Sequence, residues 1–228
     1  MRPAHPTFHT MPMSIRAAAL LYLAPVLAAW LIAAQSPHAQ ASDSLVLDKA
    51  ERKTLAAVER YLNGIQTLKA EFTQVGPDGE PAEGVIYMRR PGLLRVEYKP
   101  PVPVIIVGDG FLIHYHDKEL GQIDDWFIYD TPLGALTKED MRFGDDVDVT
   151  GFVERDGRIA VRVVQEDDPT GGSLTLYLDA DPMRLTHWRI TDAQGHATTV
   201  TLHKLRTNMR LSRRLFVFDD PRKKQTGR

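Results

Sequence analysis

The chain has 228 residues, with 28 basic and 30 acidic side chains, a formal net charge of −2 and no cysteine. This slightly acidic balance argues against a nucleic-acid role, which needs clustered positive charge. The missing thiols rule out disulfide stapling and the acylated cysteine of a bacterial lipoprotein.

Residues 1–41 read as a leader. Arg2 and Arg16 give a positive start, Ala17 to Ala34 is an 18-residue run without charge, and Ala39, Gln40 and Ala41 form a small-x-small cleavage site. The run holds Pro25 and falls a little short of the roughly 20 residues that span a bilayer, so cleavage is expected over a retained anchor. Met11 or Met13 would serve equally as the start. Loss of the two leader arginines takes residues 42–228 to a net charge of −4. That part is large enough for one domain with a substantial core, and it is expected to be exported to the periplasm.

A helix opens the domain. Asp48 is placed to cap it, with Glu51 as its capping-box partner, and Leu55, Val58, Leu62 and Ile65 form one apolar stripe ahead of a stop at Gly64. The period then switches to two: Leu68, Ala70 and Phe72 alternate with Lys69, Glu71 and Thr73, as in a half-buried strand. Strands are expected at 85–89, 93–98, 104–107, 111–116, 147–155, 158–165, 174–178 and 183–191. The loop Gly76 to Gly84, the break at Pro91 and Gly92, and the turns at Gly108 to Gly110, Asp156 with Gly157, Asp179 to Pro182 and Gln194 with Gly195 separate them. About nine to eleven strands in consecutive hairpins predict one large, strongly curved antiparallel sheet within an α+β fold.

One segment breaks this pattern. Asp130 to Asp140 places Pro132 at a helix start, with Leu133 and Leu136 three apart, and reads as a short lid helix or a connecting turn. Several strands are apolar at consecutive positions, notably VIYM at 85–88, VPVIIV at 102–107 and FLI at 111–113. An open antiparallel sheet normally wets one face, so both faces here must meet apolar material. Either the amino-terminal helix absorbs this surface or part of it lines a pocket.

Chemistry-bearing constellations are sparse. The serines after the leader are Ser42, Ser44, Ser173 and Ser212, and none lies in a G-x-S-x-G elbow. No nucleophile, base and oxyanion donor can be named together, so the chain is not read as an enzyme. His114 and His116 share one strand face, a weak zinc pattern that fits surface histidines better. Asp145, Asp146 and Asp148 lack the ligand spacing of a calcium hand and read as a solvated acidic turn. Arg213 to Arg228 reads as a last strand followed by a frayed basic tail.

Four stretches carry a resemblance in order: LKAEFTQ at 68–74, RRPGLLRVEYKPP at 89–101, VGDG followed by FLIHYHDK at 107–118, and DTPLGAL at 130–136. With LFVFDDP at 215–221, they resemble the periplasmic outer-membrane lipoprotein carriers (LolA-like proteins) over nearly all of residues 42–228. The resemblance implies a half-barrel of antiparallel strands whose mouth is covered by helices, above an apolar cavity that takes acyl chains. It further implies a monomer that needs no cofactor. Its partners would be acylated lipoproteins, an inner-membrane lipoprotein-releasing ABC transporter, and an outer-membrane acceptor lipoprotein or the outer membrane itself. The family's arginine before the proline latches the lid, and Arg90 is the matching residue, with Arg89 facing the opposite side. Candidate lipid-contacting positions are Leu94, Val96, Ile106, Phe111, Ile113, Leu133 and Leu136. The chain departs from the family where Leu94 and Val96 replace aromatics and where histidines enter FLIHYH. A regulatory module of the same fold that senses lipoproteins in envelope signalling is the alternative reading. An outer-membrane acceptor of similar fold is disfavoured by the missing acylation cysteine.

Overall fold

The computed structural model describes residues 45–131, 134–166 and 168–225, so the expected leader and Leu133 lie outside the described residues. The first helix, α1 (Lys49–Asn63), starts as its sequence dictates. Asp48 accepts from the Glu51 N–H, the Glu51 side chain returns the bond to the Asp48 N–H, and Gly64 is the C-cap. Val58, Leu62 and Ile65 are buried, whereas Leu55 packs at the edge of the same cluster.

Eleven strands follow: β1 (Thr67–Val75), β2 (Pro81–Arg89), β3 (Leu93–Tyr98), β4 (Val104–Asp109), β5 (Leu112–Asp117), β6 (Gln122–Phe127), β7 (Val147–Arg155), β8 (Arg158–Gln165), β9 (Gly172–Ala180), β10 (Met183–Asp192) and β11 (Ala197–Thr207). They form one antiparallel sheet in the order β6-β5-β4-β3-β2-β1-β11-β10-β9-β8-β7. The sheet is open, with β6 and β7 as its edges. Those two strands are consecutive in the chain. Their connection must therefore run from one edge to the other, and it carries a short helix, α2 (Gly134–Thr137), across the concave face.

The first hairpin loop is shorter than expected. Residues 81–84 belong to β2, with Pro81 opposite Val75 and Gly84 opposite Phe72. Gly84 acts here as a strand residue: an added Cβ would sit 2.6 Å from the Phe72 ring and 2.3 Å from the Glu97 carbonyl. Its missing side chain makes room for that ring. Pro81 opens the strand, where its absent N–H costs least.

Register sorts the apolar residues into two layers. Leu68, Met88 and Leu94 align across β1 to β3, as do Ala70, Ile86 and Val96. These residues pack with α1 and with Leu176, Leu185, Trp188 and Val200 of the other wing in the main core. Leu93, Ile105 and Val107 face the opposite side and are also buried. Their cover is the carboxy-terminal segment, which corrects the expected last strand and frayed tail. After β11 the chain crosses the outer face of the first wing: the Met209 carbonyl accepts from Thr67, the Leu211 carbonyl from Arg89, and the Leu215 carbonyl from Arg95. Phe216 is buried in the 3-10 turn Arg213–Phe216, and Phe218 stacks on His114 with 4.6 Å between centroids. Arg222, in the first turn of the last helix, α3 (Pro221–Gln225), then pairs with Asp125 at 3.0 Å. The consecutive apolar runs of β4 thus meet the main core on one side, through Ile106, and this strap on the other.

Candidate functional site

Strand alternation carries the Ile86 and Met88 side chains to the concave face, and Arg90 continues that parity one residue beyond β2. Its side chain enters the space between the end of α1 and α2, with only 7% of its surface exposed. One guanidinium nitrogen, Nη2, donates to the Leu62 carbonyl at 3.2 Å, and Nη1 donates to the Lys138 carbonyl. The backbone N–H of Arg90 donates to Gln66 at 3.0 Å. Burial pulls the Arg90 pKa down, while the charge of Asp140 partly offsets this. Leu62 lies in the last turn of α1, so its carbonyl belongs to the negative end of the helix dipole. A buried cation is thereby stabilised by backbone carbonyls. No ion pair to Arg90 occurs among the described residues.

Backbone and side-chain bonds fix the α2 segment along its length. The Gly92 N–H donates to the Thr137 carbonyl at 2.9 Å. At the start of α2, a Cβ on Gly134 would lie 2.2 Å from the Ile128 carbonyl, so only glycine lets the helix rest on the preceding turn, Ile128–Asp130. Beyond α2, the Asn63 amide bonds both backbone groups of Met141: Nδ2 donates to its carbonyl at 2.8 Å, and its N–H donates to Oδ1 at 3.0 Å. Glu59 accepts from the Phe143 N–H at 2.8 Å. Lys138 reaches Asp146 at 2.8 Å, and this bond is the main cause holding the Asp146 carboxyl below its usual range.

Beneath this cover lies an apolar cavity of about 30 Å³, walled by Leu62, Leu68, Met88, Leu94, Leu136 and Trp188, with Arg90 and Thr137 at its lid side. That is close to the volume one water occupies in the liquid. A long acyl chain needs far more, so this is a closed arrangement, with Leu62 and Leu136 in the cavity wall.

Residues 63–219 match the sequence profile of the family described as outer membrane lipoprotein carrier protein LolA, more than half of the chain. The chain belongs to this family. An outer-membrane lipoprotein carrier protein of Methylococcus capsulatus is 27% identical over 182 residues, covering 76% of this chain and 86% of the relative. The carrier protein of Legionella pneumophila strain Lens is 25% identical over 173 residues, covering 72% and 85%. A crystal structure of a LolA superfamily protein from Nitrosomonas europaea aligns with 72% of this chain and 97% of its own at a TM-score of 0.40 and 11% identity.

Within this LolA-family fold the expected site residues fall in different places. Arg90, Leu94 and Leu136 border the cavity. Val96 is buried in the same core, and Ile106 packs half-buried against it. Ile113 is buried on β5, sharing the Gly108 register position. Phe111 is 66% exposed at the β4–β5 turn and meets Phe127 edge-on at 5.2 Å. His114 and His116 turn to the outer face against Phe218, and His114 Nδ1 lies 2.6 Å from Asp125. Among the described residues no group of three potential metal ligands gathers.

Several contributors lay outside the sequence reading. Asn63, Glu59 and Thr137 act on partners that no local pattern reveals; Asn63 and Met141 are 78 positions apart. Leu62 was legible as helix stripe but not as cavity wall. Trp188 carried a signal, an aromatic at an inward parity position of β10, yet only the pairing of β1 with β11 brings it to the same cavity as Arg90.

Proposed function

We propose that this protein is a periplasmic carrier that shelters the acyl chains of lipoproteins and moves them from the inner to the outer membrane. What supports this beyond family membership is one arrangement. A single buried cation, Arg90, ties the end of α1 to the end of α2 above an apolar cavity. Burying a 16-carbon chain is worth on the order of 12 kcal/mol at about 0.8 kcal/mol per methylene, so an acylated protein needs shelter to cross water. The carrier must also release that chain. Closure returns Leu62 and Leu136 to the cavity and restores the Arg90 bonds, and both gains offset the affinity for cargo.

In this reading Arg90 is the lid latch and Leu94, Val96 and Leu136 contact the acyl chain, with Ile106 and Ile113 further along the same face. Leu133, outside the described residues, and Phe111, exposed at the β4–β5 turn, are the remaining candidate contacts. Cargo comes from an inner-membrane lipoprotein-releasing ABC transporter and passes to an outer-membrane acceptor lipoprotein or to the membrane itself. No catalytic step is assigned to any residue. The test is release from spheroplasts: the purified protein should bring an acylated lipoprotein into the soluble fraction. Release no greater than with buffer would sink the reading.

A further inference from the structure

Three buried side-chain polar atoms have no hydrogen-bond partner among the described residues: Arg90 Nε, Trp188 Nε1 and the Tyr115 hydroxyl. Tyr115 stands on β5, away from the cavity, but Arg90 and Trp188 both border the same small space. They are 7% and 3% exposed. Buried polar groups are almost always paired, and leaving one unpaired costs about 1–3 kcal/mol. Two such groups on residues that line one small cavity mark a place where a ligand atom belongs once the cavity widens.

The polarity of the two groups selects that atom. Arginine and indole nitrogens donate and cannot accept. Thr137, at the lid side, has already given its hydroxyl hydrogen to the Gly134 carbonyl at 2.8 Å. The remaining cavity wall is Leu, Ile and Met. An oxygen placed here must therefore accept, and any hydrogens it brought would face mostly hydrocarbon. A water or alcohol has such hydrogens, whereas a carbonyl has two lone pairs and none.

Resting on the carrier reading, we propose that Arg90 Nε and Trp188 Nε1 form a polar subsite for the ester or amide carbonyl that heads a bound acyl chain. The site reads where hydrocarbon begins, so it sets how deeply the chain enters. It also gives Arg90 a second role: the Nη atoms hold the closed cover, while Nε–H is kept for cargo. A ligand with hydrocarbon alone fills the cavity but leaves both donors unpaired.

The test uses a synthetic dipalmitoyl-S-glycerylcysteine lipopeptide with a free α-amine, whose two chains are ester-linked, and an analogue with both chains attached by ether links. The indole ¹⁵N–¹H resonance of Trp188, assigned by its loss in Trp188→Phe, reports hydrogen bonding directly. The ester-bearing lipopeptide is expected to move this resonance downfield and to bind about tenfold more tightly than the ether analogue, the gain of satisfying a buried donor. Trp188→Phe is expected to abolish that preference, so that the variant binds both probes equally; a merely structural tryptophan would weaken both by the same factor and keep the preference. Equal binding of both probes with an unmoved indole resonance would overturn the subsite and leave the carrier reading standing. Binding of neither probe would overturn both.

Discussion

The Arg90 guanidinium donates to the Leu62 carbonyl at 3.2 Å, joining the end of β2 to the last turn of α1. Because the same group also donates to Lys138, one side chain links strand, helix and cover. Arginine can do this because its planar fork presents several donors in fixed directions, whereas lysine offers one rotating ammonium.

Arg90→Leu removes both bonds and adds a branched apolar side chain to the cavity wall. Loading depends on hydrocarbon surface and is expected to persist. Release depends on regaining the closed bonds and is expected to fall at least about tenfold, the low end of what one charge-assisted hydrogen bond is worth. Transfer of a labelled lipoprotein from preloaded protein to acceptor membranes measures this, and an unchanged transfer rate would remove the latch role.

Asn63→Ala tests the other anchor of the cover. The side chain satisfies both backbone groups of Met141, so its loss leaves a donor and an acceptor without partners. A cost of about 1–3 kcal/mol is expected. It should be local: hydrogen exchange should quicken at residues 138–143 while the strand amides of β1 and β2 keep their protection.

Acid should weaken the fold in two separate steps. His187 stacks on Tyr177 with 4.1 Å between centroids, and burial, reinforced by Arg189 and Arg158, pulls its pKa below 6.5. Between that lowered value and 6.5 the unfolded chain binds a proton that the folded protein refuses. The stability involved is fully present above 6.5 and is lost as the pH falls through this window. Asp146, held low chiefly by Lys138, acts further down: its contribution is intact above 3.8 and is lost below. Urea midpoints followed from roughly pH 8 to pH 5 should show the first step only, and His187→Gln should flatten it.

Local rules made much of this molecule legible. The Asp48–Glu51 capping box, the helix stripe and the alternation in β1 each express an interaction within a few residues, and the hairpin turns state their own geometry. The parts that were not legible depend on contacts between distant segments. Gly84 read as a loop glycine because nothing local reveals the Phe72 ring that occupies its face. Asn63 gave no hint of Met141, and Trp188 joins Arg90 at one cavity only once β1 has paired with β11. The apolar pairs in β4 signalled a second covered face but not its cover. That cover is a segment whose arginines suggested a solvated tail, and it is held by Arg89, Arg95 and Asp125 across the sheet.

Phe216 offers the sharpest test of that strap. It is 2% exposed, and its turn contacts β3 and β4, where Val107 is fully buried. Truncation to alanine should cost about 3–5 kcal/mol, as for other buried Phe→Ala changes. The loss lies on the convex side, so it should lower the urea midpoint without altering the ester preference or the Trp188 resonance. Phe218→Ala keeps the buried anchor and removes only the stack on His114 and the edge-on contact with His116, so a smaller loss of about 1 kcal/mol is expected. If both variants unfolded at the wild-type midpoint, the carboxy-terminal segment would contribute nothing to the sheet, and the outer faces of β3 to β5 would need another cover.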